Sequence, residues 1–174
     1  TPTMGGLLIV ISIVVPTLLW TNLRNPYVWL ALFSLVGFGA VGFWDDYTKV
    51  RKMRNLGLTP RAKFLWQVAV ALLVGLWLLT LHAVGVYSTS MNIPFFKQFR
   101  PDLLIDVFLR NPWTYPLGFV FFFLFLTIVL VGATNAVNLT DGLDGLAIGL
   151  MIIAAGAMTM LTYMSGHREF ATYL

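Results

Sequence analysis

The chain has 174 residues, 59% of them hydrophobic and only 10% charged, with a mean hydropathy of +0.84. Soluble domains average about 45–50% apolar and about 25% charged, so this composition excludes an ordinary water-soluble domain and points to an all-α, polytopic integral membrane protein. The absence of cysteine excludes disulfide scaffolds, thiolate nucleophiles and cysteine-based zinc sites, and a net charge of +4 in so apolar a chain reports membrane topology rather than nucleic-acid binding.

A bilayer core takes roughly 20 apolar residues of helix. Windows of that size predict five transmembrane helices, over 4–20, 26–44, 64–82, 113–137 and 145–164, in a single membrane domain over 1–174. The first is the shortest and carries Pro16 near its far end, where a kink or an early exit costs little. Between the second and third spans lie Lys49, Arg51, Lys52, Arg54, Arg61 and Lys63, six of the eleven Lys and Arg. Positive charge marks the inner side, so 45–63 is expected to be a cytoplasmic loop. Alternation then makes 83–112 an outer loop and 138–144 a second cytoplasmic one. The outer Asn92-Ile93-Pro94-Phe95-Phe96-Lys97 run is apolar enough to lie on the membrane surface. His82 and His167 lie in separate segments and read as interfacial side chains rather than metal ligands. Thr1-Pro2-Thr3 suits a helix entry and is not the head of a signal peptide. Together with the apolar C-terminal residues, this reads as a piece of a larger polytopic protein.

Four carboxylates, Asp45, Asp46, Asp141 and Asp144, fall at expected cytoplasmic span ends. Asp45 and Asp46 are expected to close the second span at a helix C-terminus, where the macrodipole disfavours anions. Lys49, at i+4 and i+3 from them, is a ready counter-charge; a divalent metal would serve as well, and a coupled pair can hold one raised pKa and act as a general base. Solvated charges flanking a span are the plainer alternative, just as topology alone accounts for the other basic residues. The second polar site is Asn135-Ala-Val-Asn138-Leu-Thr-Asp141-Gly142-Leu143-Asp144-Gly145. Its aspartates could be ordinary helix caps, yet two Asn, two Asp and two Gly between apolar spans exceed what capping needs, and a helix start suits a phosphate. Carboxylates, amides and a lysine on one membrane face suggest a divalent-metal site that handles a pyrophosphate or similar anion.

Thr1-Pro-Thr-Met-Gly-Gly6, Gly42-Phe-Trp-Asp45-Asp46-Tyr47 and Asn135-Ala-Val-Asn138-Leu-Thr-Asp141-Gly-Leu-Asp144-Gly-Leu-Ala147 resemble the polyprenyl-phosphate phosphoglycosyltransferases of bacterial envelopes. The first of these and Ile93-Pro-Phe-Phe-Lys97 favour the branch that uses a muramoyl-peptide donor. The resemblance implies a Mg²⁺-dependent transfer of phospho-MurNAc-pentapeptide from UDP-MurNAc-pentapeptide to undecaprenyl phosphate, releasing UMP, at the cytoplasmic face of the bacterial inner membrane. It implies a bundle of about ten spans of this length, of which this chain matches the second through sixth, with a homodimer left open. A later Asp-containing metal motif and a His-rich loop of that family are not in this sequence, so the chain alone is expected to be inactive. Carried over by resemblance, Asp45 is the base toward the lipid phosphate and Asp46 organises metal and pyrophosphate. Asn138 is a metal or diphosphate ligand, Asp141, Gly142, Leu143 and Asp144 belong to the nucleoside pocket, and Thr3, Asn135 and Lys49 are further substrate contacts. The competing readings are a sister transferase that uses UDP-GlcNAc on the same lipid, and a polytopic transporter fragment with the doublet as an ion site.

Overall fold

The computed structural model describes residues 5–53, 57–91, 99–104, 115–140 and 145–167. Five helices fill them: α1 (Gly5–Trp20), α2 (Pro26–Lys52), α3 (Pro60–Ala83), α4 (Tyr115–Thr140) and α5 (Leu146–Gly166). The one extended pairing among the described residues is an isolated antiparallel bridge between Ser90 and Asp102. The protein is therefore all-α, and α2 to α5 are each long and apolar enough to cross a membrane. The 16 residues of α1 rise about 24 Å, short of a hydrocarbon core of about 30 Å, and Pro16 lies inside them. Thr3, the 93–97 run and the segment from Asp141 through Gly142 and Leu143 to Asp144 lie outside the described residues.

Local chemistry sets the starts of α2 and α3. Asn25 Oδ1 accepts from the Tyr27 N–H at 3.0 Å and Thr59 Oγ1 from the Ala62 N–H at 3.3 Å, each cap being followed by a proline at the first helical position. Proline has no N–H to leave unpaired there, and its fixed φ already suits a helix. At its far end α2 stops on Met53 in the left-handed conformation (φ 46°), whose N–H returns to Lys49 and Val50 carbonyls. Both helices overrun the expected spans. α2 continues two turns beyond Trp44, and α3 begins one turn before Phe64, so most of the expected 45–63 loop is helical.

The described chain forms two compact units, residues 1–132 and 133–174. In the first, α2 packs against both α1 and α3. Two glycines two residues apart, and so on opposite sides of α2, make this possible: a methyl group on Gly39 would come within 3.1 Å of Val10 Cγ2, and one on Gly37 within 2.8 Å of Val70 Cγ1. Between membrane helices close van der Waals approach replaces the hydrophobic driving force, and small residues permit it. The core joins Val74 and Leu78 of α3 to Phe122 of α4 and to Leu104, with Leu30 and Phe33 of α2 packed against them. Phe33 meets Trp77 edge to face at 5.6 Å. Within the phenylalanine run of α4, Phe122 is fully buried and packs in the core, whereas Phe121 is exposed.

The described residues between α3 and α4 are held by polar contacts. Thr89 Oγ donates to Asp102 Oδ1 at 2.5 Å and the Leu104 N–H to the same oxygen at 2.9 Å, which delivers the Leu104 side chain to the core. Tyr27 Oη donates to the Val86 carbonyl at 2.8 Å, tying this segment to the start of α2. In the second unit, α5 begins on Gly145 (φ 83°) with no side-chain cap and has no buried residue, presenting an apolar surface suited to lipid.

At Gly75 an added methyl group would fall 2.7 Å from the Phe123 ring and 2.9 Å from Leu126 Cδ2. Overpacking of this kind costs about 1–3 kcal/mol. Gly75→Val is expected to lower the thermal midpoint in detergent, whereas Gly132→Ala, where a methyl meets nothing within 4 Å, leaves it unchanged or raises it.

Candidate functional site

The overrun of α2 carries Asp45, Asp46 and Lys49 beyond the apolar stretch on continuous helix. Residues three and four apart share a helical face, and Lys49 uses both spacings. Its Nζ lies 2.9 Å from Asp45 Oδ2 and 2.9 Å from Asp46 Oδ1. Lys63, in the first turn and a half of α3, reaches the same Asp45 Oδ2 at 3.6 Å. Asp45 Oδ1 accepts the Leu58 N–H at 2.7 Å. Asp45 is only 7% exposed, so each of its carboxylate oxygens is matched inside the fold. Asp46 keeps its side chain 40% exposed and also lines an apolar groove of about 450 Å³ between α1 and α2, beside Gly42 and Phe43. The two acids therefore face different neighbours and meet only through Lys49.

This geometry revises the electrostatics expected of the doublet. The acids are not at a helix C-terminus, because α2 runs on and places Lys49, Arg51 and Lys52 in its last turn, where cations are favoured. Asp45 instead sits beside the start of α3, on the amide that precedes its cap. A raised pKa is not found either. Burial pushes the Asp45 carboxyl up and is the largest single influence, but the Lys49 hydrogen bond, the Leu58 N–H and the Lys63 and Lys49 charges together outweigh it and hold the carboxyl below its ordinary value. Lys49 is pushed up, chiefly by its bond to Asp46 and then by that to Asp45, against the effect of burial.

Lys63, Gly57 and Leu58 were not singled out by the sequence reading. Topology alone accounts for Lys63 in the sequence, yet in the structure it pairs with Asp45. The signal was local: Thr59-Pro60 is a helix-start pair, and starting α3 there puts Lys63 in the turns that face the end of α2. Asn135 and Asn138 occupy the last turns of α4 in the second unit rather than a loop. They are three apart and so on one helical face, with Asn135 partly buried and Asn138 exposed. Among the described residues no group of three His, Cys, Asp or Glu side chains could hold a metal by itself.

The apolar helices, and a cluster of two carboxylates and two ammoniums where two of them turn, define a polytopic membrane protein with a charged site at one end of its helices. The chain belongs to glycosyl transferase family 4, whose profile matches residues 28–174. It is 58% identical over all 174 residues to a phospho-N-acetylmuramoyl-pentapeptide-transferase of Solibacter usitatus, 55% to one of Koribacter versatilis and 49% to one of Nitratidesulfovibrio vulgaris. It spans 46%, 46% and 44% of their respective lengths, a little under half of each relative.

Asp45 is bound more firmly as a carboxylate in the folded chain than in the unfolded one. Its contribution to stability is therefore complete above its ordinary pKa of 3.8 and disappears as the pH falls through the lower folded value. Asp45→Asn is expected to cost about 1–3 kcal/mol at neutral pH. In thermal melts in detergent, the gap between wild type and Asp45→Asn should close on acidification toward pH 3 and stay constant between pH 6 and 8.

Proposed function

We propose that the protein to which this chain belongs transfers phospho-MurNAc-pentapeptide from UDP-MurNAc-pentapeptide to undecaprenyl phosphate, releasing UMP, at the cytoplasmic face of the bacterial inner membrane. The observation that carries the reading is the 58% identity, over every residue of this chain, to a phospho-N-acetylmuramoyl-pentapeptide-transferase. The placement of the charged cluster supports it. One substrate is soluble and nucleotide-bound and the other is a lipid whose phosphate sits at the interface, so chemistry at the end of the helices, beside the bilayer surface, lets both arrive.

In this reading Lys49 and Lys63 bind phosphate oxygens and Asp45 accepts the proton of the lipid phosphate as its oxygen attacks the sugar-linked phosphorus of the donor. The phosphorus–oxygen bond to UMP breaks, and UMP leaves with the electron pair. In the free chain both ammoniums lie on Asp45 Oδ2, so proton transfer to that oxygen follows their move to the incoming phosphate. Thr3, Asn135, Asp141, Gly142, Leu143 and Asp144 are assigned to the substrates by resemblance alone.

Mg²⁺ is proposed on the chemistry of the donors. Mg²⁺ prefers hard oxygen ligands and is commonly held by one or two carboxylates together with substrate phosphates and water. Asp46, with its half-exposed carboxylate, offers such an oxygen; Asn138 is assigned to the metal by resemblance alone. The two carboxylates and two ammoniums already cancel, so phosphates entering beside them bring charge that a divalent cation would offset.

Full-length protein in proteoliposomes is expected to form a lipid-linked product and UMP from UDP-MurNAc-pentapeptide and undecaprenyl phosphate, and to lose activity with EDTA. Asp45→Asn should lower kcat at least about 100-fold with normal membrane insertion. Turnover of UDP-GlcNAc in place of the muramoyl donor would assign the chain to a sister transferase instead.

A further inference from the structure

Gly57 has no unusual backbone: among the described residues positive φ occurs at Met53, Gly85 and Gly145 only. Conformational freedom therefore does not explain the glycine. Space does. A methyl group on Gly57 would stand 2.8 Å from Asp45 Cγ and 2.9 Å from the Asp45 backbone oxygen, and closer still to Oδ1. Backbone oxygen cannot swing away as the end of a flexible side chain can. The turn before α3 thus lies directly on Asp45, and it lies there amide first, with the Leu58 N–H 2.7 Å from Oδ1. The opposite oxygen, Oδ2, carries both lysine contacts.

We infer that Gly57 and the Leu58 amide are positioning elements for the transfer reaction: they lock Oδ1 of Asp45 to the backbone so that Oδ2 alone is presented to the lysines and to substrate. This rests on the proposed role of Asp45 and adds to it which oxygen reacts and what holds it. Three features support it. The Leu58 amide belongs to the residue just ahead of the Thr59 cap, so it is fixed by the start of α3 rather than by a free loop. Burial of Asp45 leaves its carboxyl little solvent with which to replace that bond. The two oxygens are divided without overlap, one to an uncharged amide that phosphate does not displace and one to ammoniums that it would attract.

The test uses the full-length protein in proteoliposomes with undecaprenyl phosphate and UDP-MurNAc-pentapeptide. Two variants act on the same bond. Gly57→Ala pushes the turn off the carboxylate. Replacement of Leu58 by its α-hydroxy acid, which turns the amide into an ester, removes the donor and adds no atom. Each is expected to lower kcat about tenfold or more, with KM for the nucleotide donor within about twofold. A loss confined to kcat marks an interaction needed in the transition state. The ester variant is expected to fold with a lowered thermal midpoint, since one buried carboxylate oxygen loses its donor, and it carries the test if Gly57→Ala does not fold. On an Asp45→Asn background the ester should cause no further fall in the residual rate, since coupled residues are not additive. Wild-type kcat in the ester variant, a rise in KM alone, or a full further fall on the Asp45→Asn background would overturn the inference. If Asp45→Asn is inactive while the ester variant turns over normally, the positioning role fails and the proposed reaction stands. If wild type uses only another UDP-sugar, the donor assignment fails, and the same kcat comparison is made with that donor.

Discussion

An ionised carboxylate almost wholly removed from water, at the end of an apolar helix, is the constraint around which this part of the chain is arranged. Burying such a charge is prohibitive unless every lone pair finds a donor and the charge finds a counter-charge. Asp45 meets both conditions with one backbone amide and two lysines drawn from two helices. None of these donors would be in reach if α2 ended with its apolar stretch. The two further turns of α2, the Thr59 cap that starts α3 early and the contact at Gly57 are parts of one solution.

The rest of the first unit keeps α2 and α3 side by side so that this contact can form. Toward the middle the means is shape, with Gly37 of α2 taking Val70 of α3 against the backbone, while Gly75 of α3 takes the Phe123 ring of α4. At the end opposite Asp45 it is hydrogen bonding: Thr89 and the Leu104 amide share Asp102, and Tyr27 holds the segment to α2. Polar groups therefore fasten both ends of the helix pair, while the lipid-depth portion relies on packing, as expected where no water competes and unpaired polar groups are costly.

Much of this was legible in the sequence, because hydrophobic windows of 20 residues carry a strong physical signal. The helices lie on the five apolar stretches, and the i+3 and i+4 geometry of Lys49 against the doublet followed from helical spacing alone. What windows cannot read is where a helix ends once it has left the bilayer, since charged residues are as compatible with helix as apolar ones. Asp45 through Lys52 reads as loop by hydropathy and is helix in fact. That boundary error concealed Lys63 and inverted the dipole argument for Asp45. Caps would have corrected it, because Thr59-Pro60 announces a start that hydropathy places a turn later. Gly57 was beyond reach: with ordinary φ, its need for glycine arises only from a partner twelve residues away.

Lys49 has a consequence for how the two flanks of α2 communicate. Its single ammonium neutralises an acid that looks toward α3 and another that borders the α1 groove, and its flexible four-carbon stem lets it favour either. Drawn toward Asp45 it leaves Asp46 short of a counter-ion, and drawn toward Asp46 it leaves Asp45 with Lys63 as its ammonium. Occupancy beside α1 would thus be registered at the α3 turn through the swing of one side chain, with the helices themselves at rest.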